Sequence, residues 1–333
     1  MVQRMKPRRY PSLAMVAWVL VACGNSGGSL FDGGTQGGDA TVEGGAGSDG
    51  AGDDGTVGNL GDGAVPDGAA GCTPPDVLIV LDHTDSMSAT PGGTKPPNTP
   101  AGQALTKWVL ATQAVKTVVA PPLDQKVAYG LELFPLDPLT VDAGPGNGMC
   151  RTLSQLLGGT ASTNTSCQAA EVLVPPAIGT GATITGILDP LTLRLCVSTP
   201  IALALGTAQS ELQSIAQAGV GQYVLLVTDG GETCKGDVVG AAQKLATAGV
   251  KTFVVGFGAA DAGSGGVNKA LLDQVACAGM TATGFPTPCT KTAAGYTATV
   301  TTGAPIFYLA EDGASLQTAL QSITSSVCCG CAQ

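Results

Sequence analysis

The chain has few basic residues, few aromatic residues and a single histidine. Lysine and arginine together number 15 against 25 aspartates and glutamates, which gives a formal net charge of −10, and aromatic residues make up 4% of the chain. No stripe of basic residues is present, so nucleic-acid binding is disfavoured. The N-terminal apolar run, residues 13–22, is too short to span a bilayer comfortably. These shortages exclude the commonest signatures of nucleic-acid-binding and membrane-spanning proteins.

The first 23 residues have the features of an export signal. A basic head at residues 4–9 precedes the apolar run at 13–22, and the run ends in the sequence LVAC at 20–23. LVAC resembles the lipobox of bacterial lipoproteins, which implies cleavage before Cys23 and a lipid on that cysteine. The alternative is an N-terminal membrane helix or an ordinary soluble start. Gly24, rather than Asp, follows the cysteine, which favours the outer membrane or cell surface over the inner membrane.

Residues 24–71 have almost nothing to bury. Of these 48 residues, 18 are glycine, eight are acidic and none is lysine or arginine. Apolar burial cannot offset the entropy of ordering such a segment, so we predict a disordered linker. Cation binding along it is the alternative, but the aspartates have no regular spacing. We therefore divide the chain into a signal peptide (1–23), a linker (24–71) and a folded domain with a cysteine-rich end (72–333).

The eleven cysteines indicate disulfides rather than a metal cluster. If Cys23 carries lipid, ten remain, and an even number in an exported protein is typical of disulfide bonding. The one dense group, CCGC at 328–331, is far in sequence from the only histidine, His83, so a zinc cluster is the weaker interpretation. The pairings cannot be read from spacing. The disulfide candidates are Cys72, Cys150, Cys167, Cys196, Cys234, Cys277, Cys289, Cys328, Cys329 and Cys331.

Strand-like and helix-like segments alternate along the folded domain. Apolar runs predict strands, and a period near 3.6 predicts helices. The predicted strands are 76–81, 126–134, a short one near Glu171, 222–228, 251–258 and 305–310; the predicted helices are 101–119, 201–215, 238–246 and one carrying Leu316 and Ile323. This order predicts an α/β fold, doubly wound, with a mostly parallel sheet and helices on both faces.

Within this pattern, the glycine- and proline-rich residues 135–170 are predicted to be an insertion, with Cys150 and Cys167 as a candidate internal pair. The stripe on helix 101–119 is predicted to include Leu105 and Trp108. Ligands of such folds lie outside the carboxyl ends of the strands.

Oxygen-bearing side chains follow two of the predicted strands. Asp82, Thr84 and Ser86 alternate directly after the first strand, so they are expected to face one way. Asp229 follows the strand at 222–228, and Thr199 precedes a proline and a helix. Taken singly, each of these residues could instead cap the start of a helix by accepting a hydrogen bond from a backbone N–H. Three separate loops at one sheet edge predict a shared site instead.

These segments resemble von Willebrand factor A-type domains over roughly residues 76–327. Asp82-x-Thr84-x-Ser86 resembles the family's Asp-x-Ser-x-Ser motif, and LLVTDGGETC at 225–234 and Thr199-Pro200 resemble its later aspartate and threonine loops. The resemblance implies a metal-ion-dependent adhesion site held by Asp82, Thr84, Ser86, Thr199 and Asp229. Such hard oxygen ligands suit Mg²⁺, with Ca²⁺ or Mn²⁺ as alternatives, and disfavour Zn²⁺. A water position would remain open for a partner's carboxylate.

Two positions depart from the family pattern. Thr84 replaces the usual serine but keeps its hydroxyl. Asp85 stands where the family often has glycine, which adds a negative charge near the ion; we expect tighter cation binding and weaker attraction for acidic partners. We also expect Cys196 and Cys234, which flank Thr199 and Asp229, to be a candidate pair bracing this face.

The expected function is therefore binding of a protein partner through a divalent cation by an exported, lipid-anchored envelope protein, in adhesion or assembly of a surface complex. The alternatives are a metal-assisted hydrolase and a scaffold with a structural ion. No G-x-S-x-G motif is present in the folded domain, residues 72–333. Adjacent residues of an extended segment point apart, so His83 is predicted to face solvent, away from the ion. We predict no catalytic residue, no nucleic-acid partner and no membrane contact except through the lipid.

Overall fold

The computed structural model describes residues 73–137, 150–160, 167, 170–259, 266–299 and 303–328, all within the unit Gly68–Gln333. The predictions for the signal peptide, Cys23, the linker, Cys72, Cys329 and Cys331 lie outside the described residues. Within the described residues, no helix combines the length and the apolar composition needed to cross a membrane.

The ten strands of the described residues form one main sheet and two small ones. They are β1 (Asp76–Asp82), β2 (Ala128–Phe134), β3 (Cys150–Thr152), β4 (Glu171–Ala177), β5 (Arg194–Cys196), β6 (Gln222–Thr228), β7 (Val250–Phe257), β8 (Cys289–Thr292), β9 (Gly295–Ala298) and β10 (Tyr308–Ala310). The main sheet has the order β10-β7-β6-β1-β2-β4. All its neighbours pair in parallel except β2 and β4. β3 pairs with β5 and β8 with β9, both antiparallel.

Eight helices accompany these strands in the described residues. They are α1 (Pro100–Gln103), α2 (Lys107–Val118), α3 (Leu153–Leu157), α4 (Gly181–Ile187), α5 (Ile201–Ser214), α6 (Val238–Thr247), α7 (Lys269–Ala278) and α8 (Gly313–Val327), with 3-10 turns at Asp85–Ser88 and Leu123–Gln125.

Helices cover both faces of the main sheet, which confirms the predicted doubly wound α/β fold. Side chains of α2, α4 and α8 pack in one apolar layer together with Ile79 and Leu131. Those of α5, α6 and α7 pack in the other, with Leu78 and Val80. Because neighbouring residues of a strand point to opposite faces, a strand buried on both sides is expected to be mostly apolar, and residues 77–81 of β1 are apolar throughout.

The predicted helix 101–119 is in fact two helices, α1 and α2. Thr106 caps α2, its hydroxyl accepting a hydrogen bond from the backbone N–H of Val109 at 3.4 Å. Leu105 therefore lies in the connection between α1 and α2 and is 56% exposed, so the prediction that it belongs to the buried stripe was wrong. Trp108 is buried as predicted. The last strand is also shorter than predicted, because β10 covers only Tyr308–Ala310.

The disulfides differ from both predicted pairings. Cys150 bonds to Cys196, and Cys167 bonds to Cys234. The predicted insertion is therefore not closed on itself: both its cysteines connect it to the segments around the later loops. The reason is β3, which pairs with β5 and sets Cys150 opposite Cys196. A third disulfide joins Cys277 to Cys289, and Cys328 is also disulfide-bonded.

Candidate metal centre

The strand order reverses between β1 and β6, which are neighbours in the centre of the sheet. After β1 the chain passes through α2 on one face to β2, and after β6 it passes through α6 on the other face to β7. The two loops therefore separate at the carboxyl ends of these strands and leave a crevice between them. The oxygen-bearing residues of both loops lie at this point.

A chain of hydrogen bonds joins the two loops. The hydroxyls of Thr84 and Ser86 are 2.7 Å apart, and the Ser86 hydroxyl donates to Oδ1 of Asp229 at 2.7 Å. Thr84 and Asp229 are buried, whereas Ser86 is half-buried. Side-chain oxygens from residues 143 positions apart in sequence thus meet within hydrogen-bond distance.

Asp82 lies behind this chain, and both its carboxylate oxygens accept hydrogen bonds. Oδ1 accepts from the backbone N–H of Thr84 at 2.9 Å, and Oδ2 accepts from the Thr228 hydroxyl at 2.6 Å. Burial, followed by the nearby charge of Asp229, raises the pKa of Asp82 to about 7. Asp82 therefore holds the loop in shape, while its surroundings disfavour the charged form of its carboxyl group.

Asp229 also contacts a buried cation of the protein itself. The Lys107 ammonium, on the first residue of α2, forms an ion pair with Oδ2 of Asp229, and both side chains are fully buried. Burial raises the pKa of Asp229, while the Lys107 charge and the Ser86 hydrogen bond oppose that rise. Both oxygens of Asp229 are therefore in contact with a donor.

Thr199 is buried and is connected to the Asp229 loop through its backbone. Its N–H donates to the Thr233 hydroxyl at 2.6 Å, and its carbonyl accepts from the Thr233 N–H at 3.1 Å. Ser198, just before it, has a φ of 83°, a left-handed conformation that is uncommon for a residue other than glycine. Such backbone strain is often kept at functional loops.

β5 connects the Thr199 loop to the loop after β1. The N–H of Cys196 donates to the carbonyl of His83 at 3.0 Å, and Thr84 forms a parallel bridge with Cys196. The Cys150–Cys196 disulfide fixes this strand to β3, and Cys167–Cys234 fixes the Asp229 loop. The predicted Cys196–Cys234 pair was therefore wrong: each of these cysteines bonds instead to a cysteine of the predicted insertion.

His83 is buried, so the prediction that it faces solvent was wrong. Its Nδ1 lies 2.9 Å from the carbonyl oxygen of Arg194, and its Nε2 contacts the carbonyl oxygen of Pro135. Burial lowers the pKa of His83. Contacts on both ring nitrogens leave this imidazole poorly placed to act as a base for Ser86.

Asp85 needs no left-handed backbone, since the non-glycine residues with positive φ in the described part of the chain are Ser198, Lys235 and Met280. It begins the 3-10 turn Asp85–Ser88 and is half-buried. Its carbonyl accepts a hydrogen bond from the Ser88 hydroxyl at 2.7 Å. The absence of glycine at this position therefore does not distort the loop.

The donor set has the chemistry of a hard divalent cation site. Two hydroxyls and one carboxylate form a continuous hydrogen-bonded chain, with a second carboxylate behind them. Nearby, one ligand atom each of Asp137, Cys150 and Cys196 lie within 4.8 Å of one another. Because those two cysteines form a disulfide, their sulfurs are not thiolate ligands.

Two residues of this face were missed in the sequence. Lys107 gave one weak signal, a lysine at the start of a helix next to a tryptophan, where a positive charge is disfavoured by the helix dipole. Glu232 gave none: its Oε2 accepts from the N–H of Ala202 in the first turn of α5 at 2.9 Å, and its Oε1 accepts from the N–H of Cys234 at 2.6 Å. It joins the Asp229 loop to the helix after Thr199.

The family model of the von Willebrand factor type A domain matches residues 179–285, about a third of the chain. The matched segment contains Thr199 and Asp229, whereas Asp82, Thr84 and Ser86 precede it. A comparison with curated proteins gives no match.

Several solved structures resemble the chain. The BatB protein of Bacteroides thetaiotaomicron is 20% identical, with 55% of this chain and 66% of that chain covered and a TM-score of 0.35. The pilus adhesin SpaC of Lactobacillus rhamnosus GG is 13% identical, with 77% and 31% covered and a TM-score of 0.46. Proximal thread matrix protein 1 of the mussel byssus, in a structure with a zinc-occupied MIDAS motif, is 14% identical, with 76% and 47% covered and a TM-score of 0.43. The chain thus covers less than two thirds of each of these proteins. At these scores the likenesses carry no argument about function.

Proposed function

We propose that the chain is an exported, lipid-anchored envelope protein whose folded domain binds a protein partner through a divalent cation. The observation that carries the proposal is the hydrogen-bonded chain from Thr84 through Ser86 to Asp229, which joins the loops after β1 and β6 at the switch point of the sheet. The family match over residues 179–285 supports a protein-interaction role.

The residues that would hold the ion are the hydroxyls of Thr84, Ser86 and Thr199 and the carboxylates of Asp82 and Asp229. Mg²⁺ is the proposed ion, with Ca²⁺ or Mn²⁺ as alternatives, because all five side chains offer hard oxygen ligands. A bound ion supplies an open coordination position for a partner's carboxylate. Ser86 is less buried than Thr84 and Asp229, so the partner is proposed to approach over it.

The proposed partner is a protein with an exposed Asp or Glu, bound in adhesion or in assembly of a surface complex. A nucleic acid is disfavoured, because the formal net charge is −10. An enzymatic role is not proposed: His83, the only histidine, has both ring nitrogens against backbone carbonyls. A metal-assisted hydrolase remains the alternative, and turnover of ester, amide or phosphate substrates that requires Mg²⁺ would establish it instead.

Ser86→Ala in the full chain tests the metal site. This change removes one half-buried hydroxyl, and we expect Mg²⁺ affinity in calorimetry to fall by about tenfold or more. Ser88→Ala is the matched control, because the Ser88 hydroxyl donates to the Asp85 carbonyl and lies outside the proposed set. Equal Mg²⁺ affinity in wild type and Ser86→Ala would remove Ser86 from the site.

Partner capture from envelope extract, with Mg²⁺ or with a chelator, tests the binding role. We expect capture only with Mg²⁺, and loss of capture in Ser86→Ala while the variant stays folded. Capture that survives the chelator, together with a lower melting temperature, would favour the scaffold with a structural ion. Asp229→Ala separates these roles poorly, since it also leaves the buried Lys107 ammonium without this carboxylate.

The lipid anchor has its own test. Cys23→Ser is expected to abolish incorporation of labelled fatty acid and to release the protein from the membrane fraction. A labelled Cys23→Ser variant would contradict the proposed anchor and leave the metal site unaffected.

A further inference from the structure

The Lys107 ammonium lies directly beside the candidate metal ligands, at a place where a dissolved metal ion would be expected. The Lys107 side chain is 0% exposed, and its ammonium contacts the Asp229 carboxylate oxygen that Ser86 does not use. Removing an ammonium from water costs several kcal/mol, so a buried lysine must be compensated by negative charge. Here that charge belongs to a proposed ligand of the ion.

The helix itself does not favour a cation at this position. Lys107 is the first residue of α2, and the N-terminus of a helix carries a partial positive charge. Thr106 caps the start of α2, and this cap would work equally well with a neutral residue at position 107. The local structure therefore gives no reason for a lysine, and the Asp229 carboxylate does.

Three segments fix the lysine in place. Its backbone N–H donates to the carbonyl of Ala89, at the end of the loop after β1, at 2.8 Å. The backbone of Gly258, just after β7, lies against the side chain, and a Cβ at Gly258 would be 3.6 Å from Cδ and 3.8 Å from Nζ of Lys107. The N–H of Ala259 donates to the carbonyl of Pro91 at 2.8 Å and closes this cover. The backbone at Lys107 is thus fixed to the loop after β1, and the segment after β7 covers its side chain.

The charges of the crevice limit what can bind there. The buried groups are two carboxyls, Asp82 and Asp229, and one ammonium. A divalent ion added to them would bring three positive charges against these two carboxyls and the half-buried Asp85. The ion and the ammonium would also repel each other in surroundings where like charges are poorly screened. To ligate Asp229, the ion must share this carboxylate with the Ser86 hydroxyl on Oδ1 and the Lys107 ammonium on Oδ2, and the ammonium is the partner of like charge.

We propose that Lys107 is a tethered cation that competes with the divalent ion for Asp229, so that the ion binds as the ammonium leaves this carboxylate. The proposal rests on the metal site of the proposed function. When no metal is bound, Lys107 offsets the negative charge of the crevice. When metal binds, the repulsion between Lys107 and the ion keeps the metal affinity low. The ion then remains bound mainly where a partner's carboxylate adds its own negative charge.

Lys107→Met tests the competition in the full chain, by calorimetry with MgCl₂ and with MnCl₂. We expect this variant to bind Mg²⁺ at least about tenfold more tightly than wild type, because one nearby positive charge is gone. Lys107→Arg keeps the charge and should keep the weak affinity. Lys116→Met, on the same helix, is the control for loss of one lysine and should bind like wild type.

Each outcome separates this proposal from the proposed function. Equal affinities in wild type and Lys107→Met would overturn the competition and leave the metal site standing. Binding by Lys107→Met alone would support the competition and overturn a metal-dependent role of the wild type. Binding by neither protein would overturn both.

A measurement on the wild type covers the case in which Lys107→Met does not fold. Without metal, the buried Lys107 amine should be protected from acetylation by acetic anhydride, as read by mass spectrometry, relative to Lys116 on the same helix. Saturating Mg²⁺ should increase acetylation of Lys107 and leave that of Lys116 unchanged. Continued protection of Lys107 with Mg²⁺ bound would overturn the proposal.

Discussion

Glu132 is a buried carboxyl group outside the candidate metal centre. It lies on β2, is 0% exposed, and neither of its carboxyl oxygens has a hydrogen-bond partner among the described residues. Leu131 and Leu133 point into one apolar layer, so the alternation of the strand directs Glu132 into the other, beneath α5. Burial, and to a smaller extent the charge of Glu211, raises the pKa of Glu132 well above its ordinary value of 4.5.

This shift makes the free energy of unfolding depend on pH in a defined direction. Between pH 4.5 and the higher pKa of the folded state, the folded protein keeps a proton that the unfolded chain releases. Raising the pH through this window therefore favours unfolding, by about 1.4 kcal/mol per pH unit for one group. Below pH 4.5 the group is neutral in both states and contributes no slope.

Glu132→Gln removes the titration and keeps the shape of the side chain. We expect the variant to match wild type near pH 4 and to become more stable by about 1.4 kcal/mol per pH unit above 4.5, up to the folded pKa. Glu132→Met also removes the unsatisfied oxygens and should gain about 1–3 kcal/mol even near pH 4.

Urea unfolding at a series of pH values, with a chelator present, measures these differences. Asp82 and Asp229 add slopes of their own in every protein, and these cancel in the difference between wild type and variant. Glu311→Gln, at an exposed position, is the control and should follow wild type. Parallel stability curves for wild type and Glu132→Gln would refute the reasoning.

Two further predictions concern the disulfides and the charge of Asp85. Replacing both Cys167 and Cys234 by Ala should lower the free energy of unfolding by about 4 kcal/mol, because their disulfide closes a loop of 67 residues. Replacing Cys277 and Cys289 should lower it by about 3 kcal/mol, because that loop spans 12 residues. Thermal unfolding that ranks the two pairs the other way would contradict the loop-entropy account. Asp85→Gly should weaken Mg²⁺ binding by about two- to fivefold and strengthen capture of an acidic partner, as measured by calorimetry and pull-down; unchanged affinity for both would discard a role for that charge.

The sequence by itself determined the class of fold and the positions of most main strands. Residues 77–81 and 224–227 are apolar throughout and are buried, as strands covered on both faces are expected to be. Gly249, with a φ of 86°, follows the C-cap of α6 in the left-handed conformation that glycine adopts at helix ends. The alternation of strands and helices then fixes which loops share one edge of the sheet. Thr84, Ser86 and Asp229 could be placed together on that basis alone.

Only the tertiary structure decided what each of these groups contacts. The antiparallel pairing of β3 with β5 set Cys150 opposite Cys196, and no spacing in the sequence encodes a pairing between distant strands. The burial of His83 and Glu132 and the break between α1 and α2 likewise depend on neighbours far away in the chain. The ion pair of Lys107 with Asp229 is the clearest case: neither segment by itself identifies the partner, and only the tertiary structure brings the start of α2 to the residue after β6.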